Sequence, residues 1–277
     1  MPTILSRVAR STTAITLAVA MGSGSVAAVA LLSVQDEIQM GREAQAELLR
    51  EVPVVRDHGV RQYVDGLGRE LAGYASGADY PYSFTTADYR DLNAFALPGG
   101  PIWINRGVLD AAENEAQVAG VLAHEIAHVS QRHSARHMTK SLVTTGILWA
   151  IAAAIDGRDD DWRAQAVNLA AMVTASSVLL KFSRNDEKQA DREGVRILEQ
   201  AGYDPRGLLE FMQMLDAQQG RSPNAVARFF STHPDPKSRV RDLGLLIADA
   251  EPGRRDSAEF SALKQRLSRL GPAQPMP

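Results

Sequence analysis

Apolar positions recur at helical spacing towards both ends of the chain and alternate briefly in between. Residues 34–76 predict two amphipathic helices: Ile38, Ala44, Leu48 and Leu49 share one side of the first, and Val60, Tyr63, Val64, Leu67 and Leu71 one side of the second. From Tyr80 the period shortens. Tyr82–Thr86, Leu92–Leu97 and Pro101–Asn105 read as short strands, the last two joined across Pro98-Gly99-Gly100, and predict a small sheet of three or four strands. Helical patterning resumes at Arg106–Ala112, runs from Glu113 to about His137, and returns at Asp186–Ala201, Pro205–Gln219, Pro236–Ala248 and Ser257–Leu270. The proline-rich run after Leu270 predicts a loose tail. The fold class is therefore α+β and mainly helical.

Two uncharged stretches, Ser141–Ile155 and Ala166–Leu180, flank a segment that opens with the acidic turn Asp156–Asp161. Each is shorter than the ~20 residues that cross a bilayer, which favours a buried helical hairpin. The alternative is a membrane-surface contact through 141–180, or a face that receives apolar client segments. At the amino terminus, Arg7 and Arg10 precede an apolar run from Ala14 to Leu32, and the first acidic residue is Asp36. That order predicts an export signal over residues 1–33, cleaved beyond the small residues Ala28-Val29-Ala30, and hence a periplasmic location. A retained anchor over 14–32 is the alternative, and a mitochondrial targeting peptide fits the pattern less well. The remainder divides into one domain over 34–250 and a final helix with its tail over 251–277.

Composition narrows the chemistry. With 277 residues, 45% of them hydrophobic, the chain can bury a sizeable core. A formal charge of −3, with acids and bases interspersed, argues against a nucleic-acid partner. Cysteine is absent, which excludes thiol catalysis, zinc–thiolate sites, disulfides and a lipid-bearing cysteine. Any metal must be held by His, Asp or Glu.

His124-Glu125-x-x-His128 supplies such a set. Residues on a helix turn by about 100° each, so the two imidazoles lie about 40° apart on one face, one turn along the axis. They can grip a single Zn2+ per chain, while Glu125 on the flank suits a general base acting on water. A catalytic zinc takes a third protein ligand. Glu187 and Asp191 stand at i and i+4 on a later helix: Glu187 is assigned to the metal and Asp191 to the outer shell, orienting an imidazole. Asp186 and Glu193 are weaker candidates. His133 and His137 read as a solvated basic helix end beside Arg132, Arg136 and Lys140.

With these residues in place the chain resembles the HtpX-like and BepA-like zinc metallopeptidases, relatives of the prenyl-protein proteases. The resemblance runs from about Gln39 to Leu245. It rests on Asn93–Gly100, the LAHEIAHVSQRH segment from Leu122 to His133, SRNDEKQAD from Ser183 to Asp191, and Thr232-His233-Pro234-Asp235-Pro236 followed by Arg239. It implies a zincin-like metalloprotease domain with the sheet packed on the active-site helix, and no counterpart in 251–277 of the repeat domain that BepA-like members carry. It also implies that Glu187 is the third ligand, that the strand holding Asn93, Ala94, Phe95 and Ala96 pairs with substrate backbone, and that His233 and Arg239 border the site. A protease of broad preference can hold an extended peptide as an added strand in this way. His233 can also occupy the place otherwise left to water, which gives a resting enzyme. The implied activity is zinc-dependent endopeptidase cleavage of misfolded or unassembled envelope proteins. The competing reading is a chaperone or assembly factor for outer-membrane proteins whose zinc site is largely latent.

Overall fold

A computed structural model describes residues 32–141 and 181–277. The export signal or anchor falls before this range, and the apolar stretches between 142 and 180 fall in its gap, so both readings lie outside the described residues. Among the described residues no helix is long and apolar enough to cross a membrane.

Helix α1 spans Val34–Glu51 and α2 spans His58–Ala72. Ser33 starts α1 through a reciprocal capping box with Asp36, and Asp57 caps α2 by accepting from the Val60 N–H. Strands β1 (Ser83–Ala87), β2 (Ala94–Ala96) and β3 (Pro101–Asn105) form a three-stranded sheet in the order β1-β3-β2. Strand β1 runs parallel to β3, with Thr85 opposite Trp103, and β2 runs antiparallel to it, with Phe95 opposite Trp103. The β2–β3 turn needs backbone that favours glycine, and Gly99 and Gly100 supply φ of 73° and 121°.

Helices α3 (Arg106–Ala111) and α4 (Glu115–Ser130) follow, and every residue of α4 is buried. A helix apolar on all sides must be enclosed. Around it pack α5 (Arg184–Gln200), α6 (Arg206–Arg221), α2 and strand β2. Contact with α6 is backbone-close: a Cβ on Gly120 would lie 2.7 Å from Leu208 Cα, and one on Gly207 would lie 2.3 Å from the Ala116 carbonyl. The chain finishes with α7 (Pro223–Thr232), α8 (Pro236–Leu246) and α9 (Ala258–Leu267).

The mainly helical fold with a small sheet is the predicted class, and four local expectations need correction. Leu49 is 50% exposed, whereas Ala44 and Leu48 of α1 and Val52 just after it pack on the cluster around Trp103 and Tyr89. Helix α7 was missed, although Pro223 occupies its first turn and Val226 and Phe229 share its buried side. The helix expected to continue to His137 breaks at Gln131–Arg132, where Arg132 takes φ of 57°, and resumes over 133–141. The tail is docked rather than loose. Gln274 bridges Tyr89, the Arg90 N–H donates to the Gln274 carbonyl at 2.8 Å, and the Gln274 N–H donates to the Asp88 carbonyl at 3.0 Å. Arg106, almost fully buried, donates to the Gly271 carbonyl at 2.7 Å.

Candidate metal centre

Three segments distant in sequence meet at the carboxy-terminal half of α4. His124 and His128 come from α4 itself, with Nε2 atoms 3.1 Å apart. Glu187 comes from the first turn of α5, fixed because Ser183 caps that helix in a second capping box, with Asp186. Its Oε2 lies 3.5 Å from His124 Nε2 and its Oε1 3.5 Å from His128 Nε2. His233 ends α7 and precedes α8, which begins at Asp235 in a left-handed cap with Pro236 at the first helical position. Its Nδ1 sits 3.1 Å from Glu187 Oε1 and 3.4 Å from His124 Nε2.

Ligand atoms from His124, His128, Glu187 and His233 all lie within 4.8 Å of one another, and each of the four residues is buried. These donors fit a borderline ion such as zinc, being imidazole and carboxylate alone. Orphaned groups point the same way. Among the described residues both Glu125 carboxylate oxygens and His233 Nε2 are buried with no hydrogen-bond partner, although His233 Nε2 lies 3.6 Å from Glu125 Oε1, an arrangement that costs free energy unless something else meets them.

Burial and neighbouring charges move these groups in different directions. Burial and the Arg239 charge both press His124 towards neutrality, but hydrogen bonds to Asp191 and Glu187, with the Asp191 charge, outweigh them and lift its pKa to about 9. Burial drives His128 well below the ordinary histidine value. Burial alone would raise Glu187, yet the charges of Arg239 and His233 hold it well below the usual carboxylate range.

Asp191 lies behind His124, with Oδ1 3.0 Å from its Nδ1. Arg239 from α8 grips Asp191 through Nε at 2.9 Å and Nη2 at 2.6 Å, and its Nη1 lies 2.7 Å from Glu187 Oε2 as an ion pair without hydrogen-bond alignment. Strand β2 occupies an edge of the sheet and packs against α4. The Asn105 N–H donates to the Asn93 carbonyl and the Leu97 N–H to that of Pro101, so by alternation Ala94 and Ala96 turn their backbone groups away from β3.

The basic helix end is only partly solvated: Lys140 is exposed and Arg132, Arg136 and His137 are half-buried, but His133 departs from the sequence reading. His133 is fully buried, its Nδ1 2.9 Å from His128 Nδ1, and burial pushes its pKa down to about 4. His137 Nε2 meets Asp186 Oδ2 at 2.7 Å. The angular position expected for His133 assumed a continuous helix, and the turn at Arg132 invalidates it. Asp186 is occupied by Ser183, His137 and Arg136, while Glu193 accepts from the Ser76 N–H and Arg196. Two aromatic walls also went unread: Phe182 lies 3.9 Å, centroid to centroid, from His128, and Phe229 stacks on His233 at 4.7 Å.

A model of the Peptidase family M48 matches residues 60–246. The beta-barrel assembly-enhancing protease of Escherichia coli (strain K12) is 30% identical over 213 residues, which cover 76% of this chain and 44% of that protein. That of Yersinia pestis is 32% identical over 218 residues, covering 77% and 44%. The mitochondrial metalloendopeptidase OMA1 of Schizosaccharomyces pombe is 29% identical over 229 residues, covering 82% and 65%. The chain thus spans a little under half the length of the assembly-enhancing proteases it matches.

Proposed function

The chain belongs to peptidase family M48, and from that premise we propose that it is a zinc-dependent endopeptidase. His124, His128 and Glu187 would hold the ion, with His233 in the place a reacting water needs. The observation that carries this reading is the four-residue donor cluster beside Glu125, whose buried oxygens have no hydrogen-bond partner among the described residues. When bound, zinc supplies Lewis acidity, lowering the pKa of a water and polarising the scissile carbonyl.

The chain's own residues do the rest. Glu125, whose oxygens accept no hydrogen bond among the described residues and face His233 Nε2 at 3.6 Å, takes the proton from water and returns it to the leaving amine once that ring has moved. His233 swings away to admit substrate and water, and its ring then donates to the developing oxyanion, a role worth roughly 3 kcal/mol in comparable sites. Arg239 is committed to Asp191 and Glu187, so its part is to hold those carboxylates in place rather than to touch substrate. The outer edge of β2, at the buried Ala94 and Ala96, would take an extended peptide through main-chain hydrogen bonds, which suits unfolded clients of varied sequence.

The printed name of the bacterial relatives, which ties them to β-barrel assembly, supports misfolded or unassembled envelope proteins as substrates. That setting requires export, directed by residues 1–33. A second reading has a specific observation behind it: His124, Glu125, His128, Glu187 and His233 are all 0–2% exposed. A site this closed suits a chaperone or assembly factor that cleaves rarely. Zinc analysis paired with casein digestion by the wild type and Glu125→Gln tests the peptidase. Stoichiometric zinc in both and cleavage only by the wild type support it, whereas equal cleavage by both removes Glu125 as the base, and zinc with no cleavage favours the binder.

A further inference from the structure

His128 has two ring nitrogens, and each meets a different neighbour. Nε2 faces His124 and Glu187, while Nδ1 faces His133 Nδ1 at 2.9 Å. A neutral imidazole carries one proton, and a nitrogen that binds a metal must present its lone pair. With Nε2 turned to the cluster, the proton belongs on Nδ1 and has to be donated. His133 Nδ1 can accept it only if His133 carries its own proton on Nε2, and that atom lies 3.3 Å from Gln189 Oε1. Gln189 Oε1 is fixed in turn by Arg136 Nη2 at 2.9 Å. The three side chains form one directed chain in which every proton has a place.

We propose that His133 is a positioning residue for the metal: it locks His128 in the Nδ1–H tautomer and aims its Nε2 at the ion. This rests on the zinc reading of the cluster. The two histidine ligands then differ in kind. His124 is backed by the Asp191 carboxylate, itself neutralised by Arg239, whereas His128 is backed by a neutral ring that adds no charge. A carboxylate behind each ligand would place a further buried anion beside Glu187, which already requires Arg239.

The backbone is built to deliver this ring. On an unbroken helix a residue five positions after His128 would project about 140° round from it. The left-handed residue Arg132, with φ of 57°, folds the next turn back so that His133 returns to the His128 side. Such a conformation is costly for a residue other than glycine, and Arg132 is held in it by side-chain bonds to Glu37 at 2.7 Å and to the Leu32 carbonyl at 2.5 Å. Helix α1 therefore reaches the metal ligand through one turn of backbone.

The test is zinc affinity of the purified full chain, measured by competition with a chromophoric chelator, for wild type, His133→Phe and His133→Asn. Phenylalanine keeps a ring but removes the acceptor, and affinity should fall about 10- to 100-fold. Asparagine places an oxygen near the Nδ1 position and should recover most of that loss. The visible absorption of the cobalt-substituted protein should move in His133→Phe and return in His133→Asn. Wild-type affinity in His133→Phe, or equal loss in both variants, overturns the proposal. If His133→Phe does not fold, Gln189→Leu decides: a several-fold weaker site supports the relay and an unchanged one overturns it. A wild type that takes up no zinc overturns the metal reading itself, which is a different failure.

Discussion

His233 Nδ1 lies 3.1 Å from Glu187 Oε1 and 3.4 Å from His124 Nε2, so the ring fills the space beside the ligand atoms that a peptide carbonyl and water would need. If His233 only holds the site shut, for about nine-tenths of the time, His233→Ala should raise casein cleavage about tenfold. If the ring also donates to the oxyanion, the loss of roughly 3 kcal/mol outweighs that gain and the variant is slower than wild type. Initial rates at saturating zinc check this, and a variant slower than wild type assigns the ring to catalysis rather than to gating.

Arg239 is almost fully buried between Asp191 and Glu187. Replacing it with Gln strands two carboxylates in the core and should cost about 3–5 kcal/mol in urea unfolding of the metal-free protein. The loss should shrink when zinc is present, because the ion takes over part of the neutralisation. Equal losses with and without zinc would mean that Arg239 and the metal do not share these charges.

Asp191→Asn keeps the size of the side chain behind His124 but removes its charge. Zinc affinity should fall about 10- to 100-fold, with fold content unchanged by circular dichroism. Unaltered affinity would remove Asp191 from the support of that ligand.

Asp186 links the start of α5 to His137, with Oδ2 2.5 Å from Ser183 Oγ and 2.7 Å from His137 Nε2. Burial works to raise its pKa, but the bonds from His137 and Ser183 prevail and hold it below the ordinary value. A depressed folded value means that its contribution is present above the unfolded pKa, near 4, and is lost as pH falls towards the folded one. The thermal unfolding midpoint of wild type should therefore fall below about pH 4. Asp186→Asn should lose about 1 kcal/mol at neutral pH and show a flatter acid limb.

Removing residues 271–277 takes away the Gln274 pairing with Asp88 and Arg90, the Met276 N–H bond to Asp91 and one acceptor of buried Arg106. At roughly 1 kcal/mol per net hydrogen bond the deletion should cost about 4 kcal/mol. An unfolding midpoint identical to that of the full chain would mean that the tail contributes nothing to the fold.

The sequence by itself determined what local geometry can carry. His124 and His128 share a face because a helix turns about 100° per residue, and Ser33, Ser183 and Asp235 start their helices through bonds that span three residues. Glu187 and Asp191 were legible as an i, i+4 pair on α5 and Glu187 was assigned to the metal, but no spacing rule links residue 128 to residue 187. Which acid faces the histidines was decided by how α5 lies across α4, and Asp186, one residue earlier, turns instead to Ser183 and His137. His133 was misplaced because projecting a helix forward assumes unbroken backbone, and a single left-handed residue redirects everything after it. The docking of the tail was invisible because its partners, Asp88 to Arg90 and Arg106, lie far away in sequence and bind main-chain groups of the tail, which every residue has. Local bonds repeat with a period that can be read along a chain, whereas contacts between distant segments are settled only when the buried surfaces choose one way to pack.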